Sequence, residues 1–346
     1  MASLLVVLGI TGNQGGSVAD AFVTDKNWRI RAITRDTTSP SAQNWASRGV
    51  ELVCADMDDI DSLKAAFAGA QAIFAMTDYW SPLSDPKIRA KATERGISAN
   101  QLCAELEAQR GKNMAIAAAS SKVQQTLKRY IYSSLPDVSR LSSGKYTHVW
   151  HFDSKAAVER FIREDMDMVE AGLAEKASFI HVGLYSDNWM RSGLEIQKDH
   201  STGGYWHIDI GTGHRKQPFV WARRDTGPLV KRLIEDVIPG TRLLAVSQNA
   251  SYRDFMAIWA KTLGKSLAGD DGIKQMHDEG YRKLISGDEH LKEHILQYGQ
   301  YAREFGYDSG DTDTLYPIDF AQIGAEDLVT SLEMYFKQED WSMLPL

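Results

Sequence analysis

Short, nearly uninterrupted apolar runs alternate with longer amphipathic stretches through the first half of the chain. The runs Leu4–Gly9, Arg29–Thr34, Glu51–Cys54, Ala72–Met76, Arg129–Ser133 and Ser178–Val182 have the length and apolar content of buried strands. Between them, Gly16–Thr24, Ile60–Ala68, Ser98–Ala118 and Ser154–Glu164 read as helices. Helix starts are marked by Asp61-Ser62 before Leu63 and by Asp153-Ser154 before Ala156. Strands that alternate with helices in this way predict parallel pairing through right-handed crossovers. The expected fold class is α/β with a doubly wound parallel sheet.

After about residue 185 the pattern loosens. Gly203, Gly204, Gly211 and Gly213 with aromatic neighbours suggest loops and short strands. A helix is expected near Asp225, a strand at Leu243–Ser247 and a helix at Tyr252–Leu263 stopped by Gly264. Further helices are expected at Gln275–Ser286, His290–Phe305 and Ala325–Lys337. The division this implies is a sheet domain over 1–185 and a smaller C-terminal α/β domain covering a substrate over 186–346. Some later segments are expected to return to the sheet. No internal repeat or low-complexity linker interrupts the chain.

The first strand runs into Gly9-Ile10-Thr11-Gly12-Asn13-Gln14-Gly15-Gly16 and then a helix. One glycine permits the tight turn, one lets the backbone approach a pyrophosphate, and one lets helix pack on strand. The helix N-terminus presents free N–H groups to the anion. Gly9, Thr11, Gly12, Asn13, Gln14 and Gly15 are therefore candidate ligands of a dinucleotide on a Rossmann-like sheet; the alternative is a glycine-rich turn holding nothing. Past the second strand comes Arg35-Asp36. A guanidinium there suits the 2′-phosphate of NADP(H), and an acid would suit NAD. Arg35 comes first and favours NADP(H), unless it is only a solvated strand end. Asp56 and Met57, at the end of the third strand, could meet the adenine; Asp56 could equally cap the following helix.

Composition narrows the partners. The 346 residues carry a net charge of −7, which excludes a broad basic surface for nucleic acid or anionic membrane. Two cysteines, Cys54 and Cys103, make neither a disulfide framework nor a metal site and suit a reducing cytoplasmic setting. The run Leu4–Ile10 lacks a basic flank and is too short to span a bilayer, so no targeting segment is expected. No metal-ligand spacing and no serine nucleophile elbow appears. The expected partner is a small-molecule substrate. For oligomeric state only the general preponderance of the homodimer speaks.

The glycine loop, the Arg35 strand end, Ala55-Asp56-Met57-Asp58-Asp59 with Ser62-Leu63, and His151-Phe152-Asp153-Ser154-Lys155-Ala156-Ala157-Val158-Glu159 together resemble the NmrA-like family of atypical short-chain dehydrogenase/reductases, common in fungi. The resemblance continues through Gly183-Leu184-Tyr185-Ser186-Asp187-Asn188, Asp225-Thr226-Gly227 and Glu304-Phe305-Gly306-Tyr307. It implies a Rossmann domain with a smaller C-terminal domain and NADP binding. It does not imply one reaction: relatives include redox-sensing regulators that bind proteins and reductases of fungal secondary metabolism.

Typical enzymes of this group place a Tyr four residues before a Lys. The Lys holds the nicotinamide ribose, and the Tyr protonates the substrate oxygen. Here the Lys is Lys155 and the earlier position is His151, an imidazole that could serve as the acid or could merely pack. Ser133 and Ser134 at the end of the fifth strand are candidate donors to a carbonyl, or satisfied turn serines before Pro136. Thr77 reaches the same sheet edge, with Tyr79 and Trp80 as walls, and Tyr185 follows the sixth strand toward the nicotinamide. Tyr146 is a second candidate acid. Most of the nine tryptophans belong in the core, a minority in a flat substrate pocket. The charged residues over 265–315 read as a solvated face. Three functions stay open: an NADPH-dependent reductase of a carbonyl, imine or activated C=C, a non-catalytic NADP(H) sensor with a protein partner, and a non-redox isomerase or cyclase.

Overall fold

The computed structural model describes residues 2–190, 195–209, 211–212, 214–275, 278–285, 287–308 and 318–344. Six strands come from the first half: β1 (Ser3–Leu8), β2 (Trp28–Thr34), β3 (Glu51–Cys54), β4 (Ala72–Ala75), β5 (Arg129–Ser134) and β6 (Ala177–Val182). Short strands β7 (Leu184–Tyr185), β8 (Gln197–Lys198), β9 (Tyr205–Asp209) and β10 (Gln217–Val220) follow, then β11 (Arg242–Ala245), β12 (Gln248–Ala250), β13 (Ile273–Gln275) and β14 (Ile318–Asp319). The main sheet has the order β14-β11-β6-β5-β4-β1-β2-β3, and every pairing in it is parallel. Two small three-stranded sheets, β12-β10-β7 and β13-β9-β8, sit in the second half.

The side-chain period of two explains why β1 is apolar throughout. Leu4, Val6 and Leu8 pack on one face with Met114, Val158 and Ile162, whereas Leu5 and Val7 pack on the other with Val18, Phe22 and Leu229. Helices Ala99–Ala119 and Trp150–Glu164 thus cover one face, and helices Asn13–Phe22 and Ala222–Glu235 the other. Contact within each pair is close because a glycine stands at it. A Cβ on Gly111 would lie 2.4 Å from Val158 Cγ2, and one on Gly227 would lie 2.0 Å from the Ser17 carbonyl oxygen.

Several boundaries differ from expectation. The first helix begins at Asn13, so Asn13, Gln14 and Gly15 form its opening turn. The helix expected from Ser154 begins at Trp150, and the Asp153 carboxylate instead accepts hydrogen bonds from Ser139 N and Oγ (3.0 and 2.6 Å). The helix Ile60–Phe67 is capped by Asp59, not by Asp61-Ser62. Helices Pro40–Ser47 and Pro86–Glu94 were not anticipated, because polar, proline-led stretches lack a clear apolar stripe. Gln275 ends a strand, and the helix after it covers Asp278–Leu284. The helix expected at Ala325–Lys337 is only Leu332–Gln338, capped by Ser331, after a separate short turn at Glu326–Leu328. Gly213 and Ser286 lie outside the described residues. Helix Tyr252–Leu263 matches its expected bounds, with a Ser251/Asp254 capping box and Gly264 left-handed at its end.

Among the described residues no helix is long and apolar enough to cross a membrane.

Candidate active site

The carboxyl ends of β1, β4, β5 and β6 open on one cavity of about 560 Å³, in the range of small-molecule sites. Its sheet-side wall holds Asn13, Gln14, Thr77, Ser133, Lys155 and Tyr185, six of the expected site residues, and His151 also lines it.

At the head of β1 the glycines are required by geometry. Gly9 has φ +69°, and a Cβ there would lie 2.6 Å from Met76 Sδ. A Cβ on Gly15 would lie 2.3 Å from the Gly9 carbonyl oxygen and 2.5 Å from that of Leu8, so only glycine lets the helix start this close to the strand end. Gly12 is the N-cap and no side chain caps this helix. Thr11 and Gly12 are exposed at the loop tip. Gln14 is buried and donates from Nε2 to the Tyr185 hydroxyl (2.8 Å), tying the loop to the segment after β6. Asn13 Nδ2 reaches Asp187 at 3.5 Å.

Arg35, Asp56 and Met57 stand apart from the cavity, at the ends of β2 and β3. Arg35 is exposed, and its charge helps hold the neighbouring Asp58 carboxyl below its ordinary range, after the hydrogen bond from Arg110. Asp56 does not cap the next helix. Its Oδ1 accepts from Asp58 N (2.9 Å) and its carbonyl from Asp59 N (3.0 Å), which makes it the turn residue ahead of the Asp59 cap. The Met57 carbonyl accepts from Asn113 Nδ2 at 2.8 Å.

A residue the sequence did not single out organises the Lys155 corner of the cavity. Glu107, on helix Ala99–Ala119, has a fully buried side chain and forms an ion pair with Lys155. Its carboxylate also accepts hydrogen bonds from Thr77 Oγ1 (2.8 Å) and Ser154 Oγ. His151 and Lys155 share the helix Trp150–Glu164 at i, i+4, so both face the cavity. Ser133 is buried at the end of β5, while Ser134 Oγ turns to the Leu135 and Lys155 carbonyls (3.4 and 3.5 Å). Tyr146 does not line the cavity: it is buried elsewhere, donating to Glu304 Oε2 at 2.7 Å.

The opposite wall is aromatic and comes largely from the second half. Tyr252, Tyr281, Tyr298 and Tyr307 line it, with Leu291 and Ile295. The His294 ring lies parallel to those of Tyr79 (5.4 Å, 6°) and Trp150 (5.6 Å, 12°), a three-ring stack. Burial drives the His294 pKa down to about 3, so its ring is neutral. Of the tryptophans expected in loops, Trp80 lines the cavity, and Trp189 stacks on Trp341 in the core. The helix Glu289–Phe305 carries His294 and Tyr298 four residues apart within a sequence read as a solvated face. Glu289, Arg303 and Glu304 are exposed and Lys292 and Glu293 half-buried, and the i, i+3, i+4 series Leu291, His294, Ile295, Tyr298 was the signal that marked its inner face. Among the described residues no three His, Cys, Asp or Glu side chains come together as a metal site.

Comparison with known proteins agrees with this architecture. The NmrA-like family model matches residues 1–336. An NmrA-like family domain-containing oxidoreductase of Aspergillus hancockii is 28% identical over 240 residues, covering 67% of this chain and 64% of that protein. This chain therefore matches slightly less than two thirds of that relative's length. Among solved structures, that of NmrA, a negative transcriptional regulator, in complex with NADP superposes with a TM-score of 0.70 at 17% identity, covering 97% of this chain and 95% of that one. Triphenylmethane reductase of Citrobacter sp., complexed with NADP(H), gives 0.66 at 17% identity, covering 97% and 99%.

Proposed function

The chain belongs to the NmrA-like family, and from that premise we propose that it is an NADPH-dependent reductase of a carbonyl, imine or activated C=C bond in a small aromatic metabolite, within secondary metabolism. The observation that carries this reading is the convergence of the glycine-loop helix, the Lys155–Glu107 pair and the donors His151 and Ser133 on one aromatic-walled cavity.

The residues present fit the cofactor. The Gly9–Gly15 loop leaves the close backbone approach that a pyrophosphate needs, and the helix end has no side-chain cap to compete with it. Arg35 would receive the ribose phosphate, Asp56 and Met57 the adenine, and Thr77, Lys155 and Tyr185 the nicotinamide end. NADPH, when bound, supplies a hydride to the electrophilic carbon. Lys155, its orientation fixed by Glu107, holds the ribose. His151, stationed between Trp80 and Phe152, delivers the proton that completes the reduction, and Ser133 hydrogen-bonds the substrate heteroatom.

The reading is tested by NADPH oxidation against a panel of aromatic ketones, imines and enones. Substrate-dependent oxidation that Lys155→Ala largely removes is expected. Tight NADPH binding without turnover of any compound would instead favour a cofactor sensor acting on a protein partner, and a product of unchanged oxidation state an isomerase.

A further inference from the structure

The charges of the cavity do not balance. Its lining holds one lysine and one acid, Lys155 and Asp78. Lys155 is neutralised by Glu107, and His294 is kept neutral by burial. Asp78, exposed just past β4, accepts from Trp80 N (2.9 Å), Ser81 N (3.2 Å) and Ser81 Oγ, all uncharged donors. Among the described residues it has no ion-pair partner. The lining is left with the negative charge of one accessible carboxylate.

An aromatic surface stands beside that charge. The Asp78–Trp80 hydrogen bond fixes the carboxylate next to the indole, which is 37% exposed and lines the same cavity. Trp80 meets Tyr79 and His294 in T-shaped contacts (5.1 Å, 89° and 5.4 Å, 87°). Among the described residues a lysine or arginine stands over several rings, Trp45, Trp206 and Trp221 among them, but over none of this cavity's. A carboxylate joined to indole and phenol rings is a composition that holds organic cations.

We propose that the substrate is an organic cation, an iminium ion on an aromatic frame, held against Trp80 with Asp78 as its counter-charge. This rests on the cavity being the substrate site, as the reductase reading holds, and it selects one of that reading's three electrophiles. Hydride from NADPH forms a C–H bond at the iminium carbon. The C=N π pair withdraws to nitrogen as its lone pair, and the positive charge passes to the oxidised nicotinamide. The cavity thus holds one positive charge before and after, which the Asp78 carboxylate matches. A neutral imine takes a proton from His151 to reach the iminium, and an iminium that arrives preformed needs the hydride alone. A cation bound beside His151 favours its neutral form.

The test first reads binding by equilibrium dialysis, using the whole protein saturated with NADPH and probes that cannot be reduced. Phenyltrimethylammonium and tert-butylbenzene share a shape and differ in charge, and benzoate carries the opposite sign. The cation is expected to bind about tenfold more tightly than either. Asp78→Asn keeps an oxygen for the Trp80 and Ser81 N–H groups, so it should melt like the parent and lose most of that preference. Trp80→Leu, at an exposed position, removes the aromatic surface and should lower the preference about threefold. Equal binding of the cation and its neutral isostere, tighter binding of benzoate, no binding of any probe, or a preference unchanged in both variants would each overturn the proposal.

Turnover then separates this inference from the reductase. The iminium 2-methyl-3,4-dihydroisoquinolinium should oxidise NADPH with a kcat/KM about tenfold above that of the bicyclic ketone 1-tetralone, and Asp78→Asn should close most of that gap. A cation preference carried by Asp78 without NADPH oxidation by either compound would keep the cation site and lose the reductase. Reduction of the ketone with the iminium untouched would keep the reductase and lose this proposal.

Discussion

Lys155 ends against Glu107, a carboxylate whose side chain is wholly buried and which also receives Thr77 and Ser154. The lysine is itself only 12% exposed, so each charge is tolerable because of the other. Glu107→Gln and Lys155→Met should each lower stability to urea by about 3 kcal/mol, because each strands a buried charge. The double variant should recover most of that loss and yet remain inactive, since the ribose ligand is gone. Single-variant losses that simply add in the double variant would show that the two groups do not act as a pair.

The glycine loop separates packing from binding. In Gly15→Ala the new methyl falls 2.3 Å from the Gly9 carbonyl. The helix must move off β1, at a cost of about 2 kcal/mol, and cofactor binding should be lost with it. Gly12→Ala meets nothing nearer than 3.4 Å and its φ of −100° suits alanine. That variant should melt like the parent but bind NADPH about tenfold more weakly, as one backbone contact to phosphate is obstructed. Equal loss of melting temperature in the two variants would contradict this division.

Gly227 makes the same argument across the two halves of the chain. Its N–H donates to Ser17 Oγ at 2.8 Å, and a Cβ would lie 2.0 Å from the Ser17 carbonyl. Gly227→Ala should cost about 3 kcal/mol in urea unfolding. Because Ser17 belongs to the helix that opens at the cofactor loop, NADPH affinity should fall as well. A destabilised variant with unaltered affinity would show that the helix Ala222–Glu235 does not support the loop.

What could be read from the sequence was what local rules govern. The apolar run of β1, the Gly9–Gly15 spacing and the Gly264 stop follow from backbone sterics and burial within a few residues of one another. Glu107 was not readable: it lies 48 residues from Lys155, in a helix where a glutamate normally faces water. The close packing of Gly111 on Val158 draws those two helices together around it. The aromatic wall was hidden for a related reason, since Tyr298 and His294 are interleaved with the polar, half-buried Lys292, Glu293, Gln297 and Gln300. The two-residue offset at Asp59 is local, its carboxylate accepting from the Asp61 and Ser62 N–H groups, whereas the four-residue offset at Trp150 goes with a tertiary contact, the Trp150 N–H donating to His294 Nδ1.

His294 gives the fold a pH dependence with a definite sign. Its folded pKa is lowered by burial to about 3 from an ordinary 6.5, a shift the His148 charge reinforces and a backbone contact with His148 opposes. Between those values the unfolded chain takes up a proton that the folded chain refuses, so stability falls as pH drops from about 6.5 to 3. The slope from this one group is about 1.4 kcal/mol per pH unit. His294→Phe removes it, and also removes the Nδ1 that accepts the Trp150 N–H at 3.3 Å. The variant should therefore be less stable than the parent at pH 7, and the gap should narrow as the pH is lowered. The readout is the difference between the two urea-unfolding series across that window. Parallel curves across that window would mean that His294 is protonated in the folded chain and that the Tyr79–His294–Trp150 stack carries a charge.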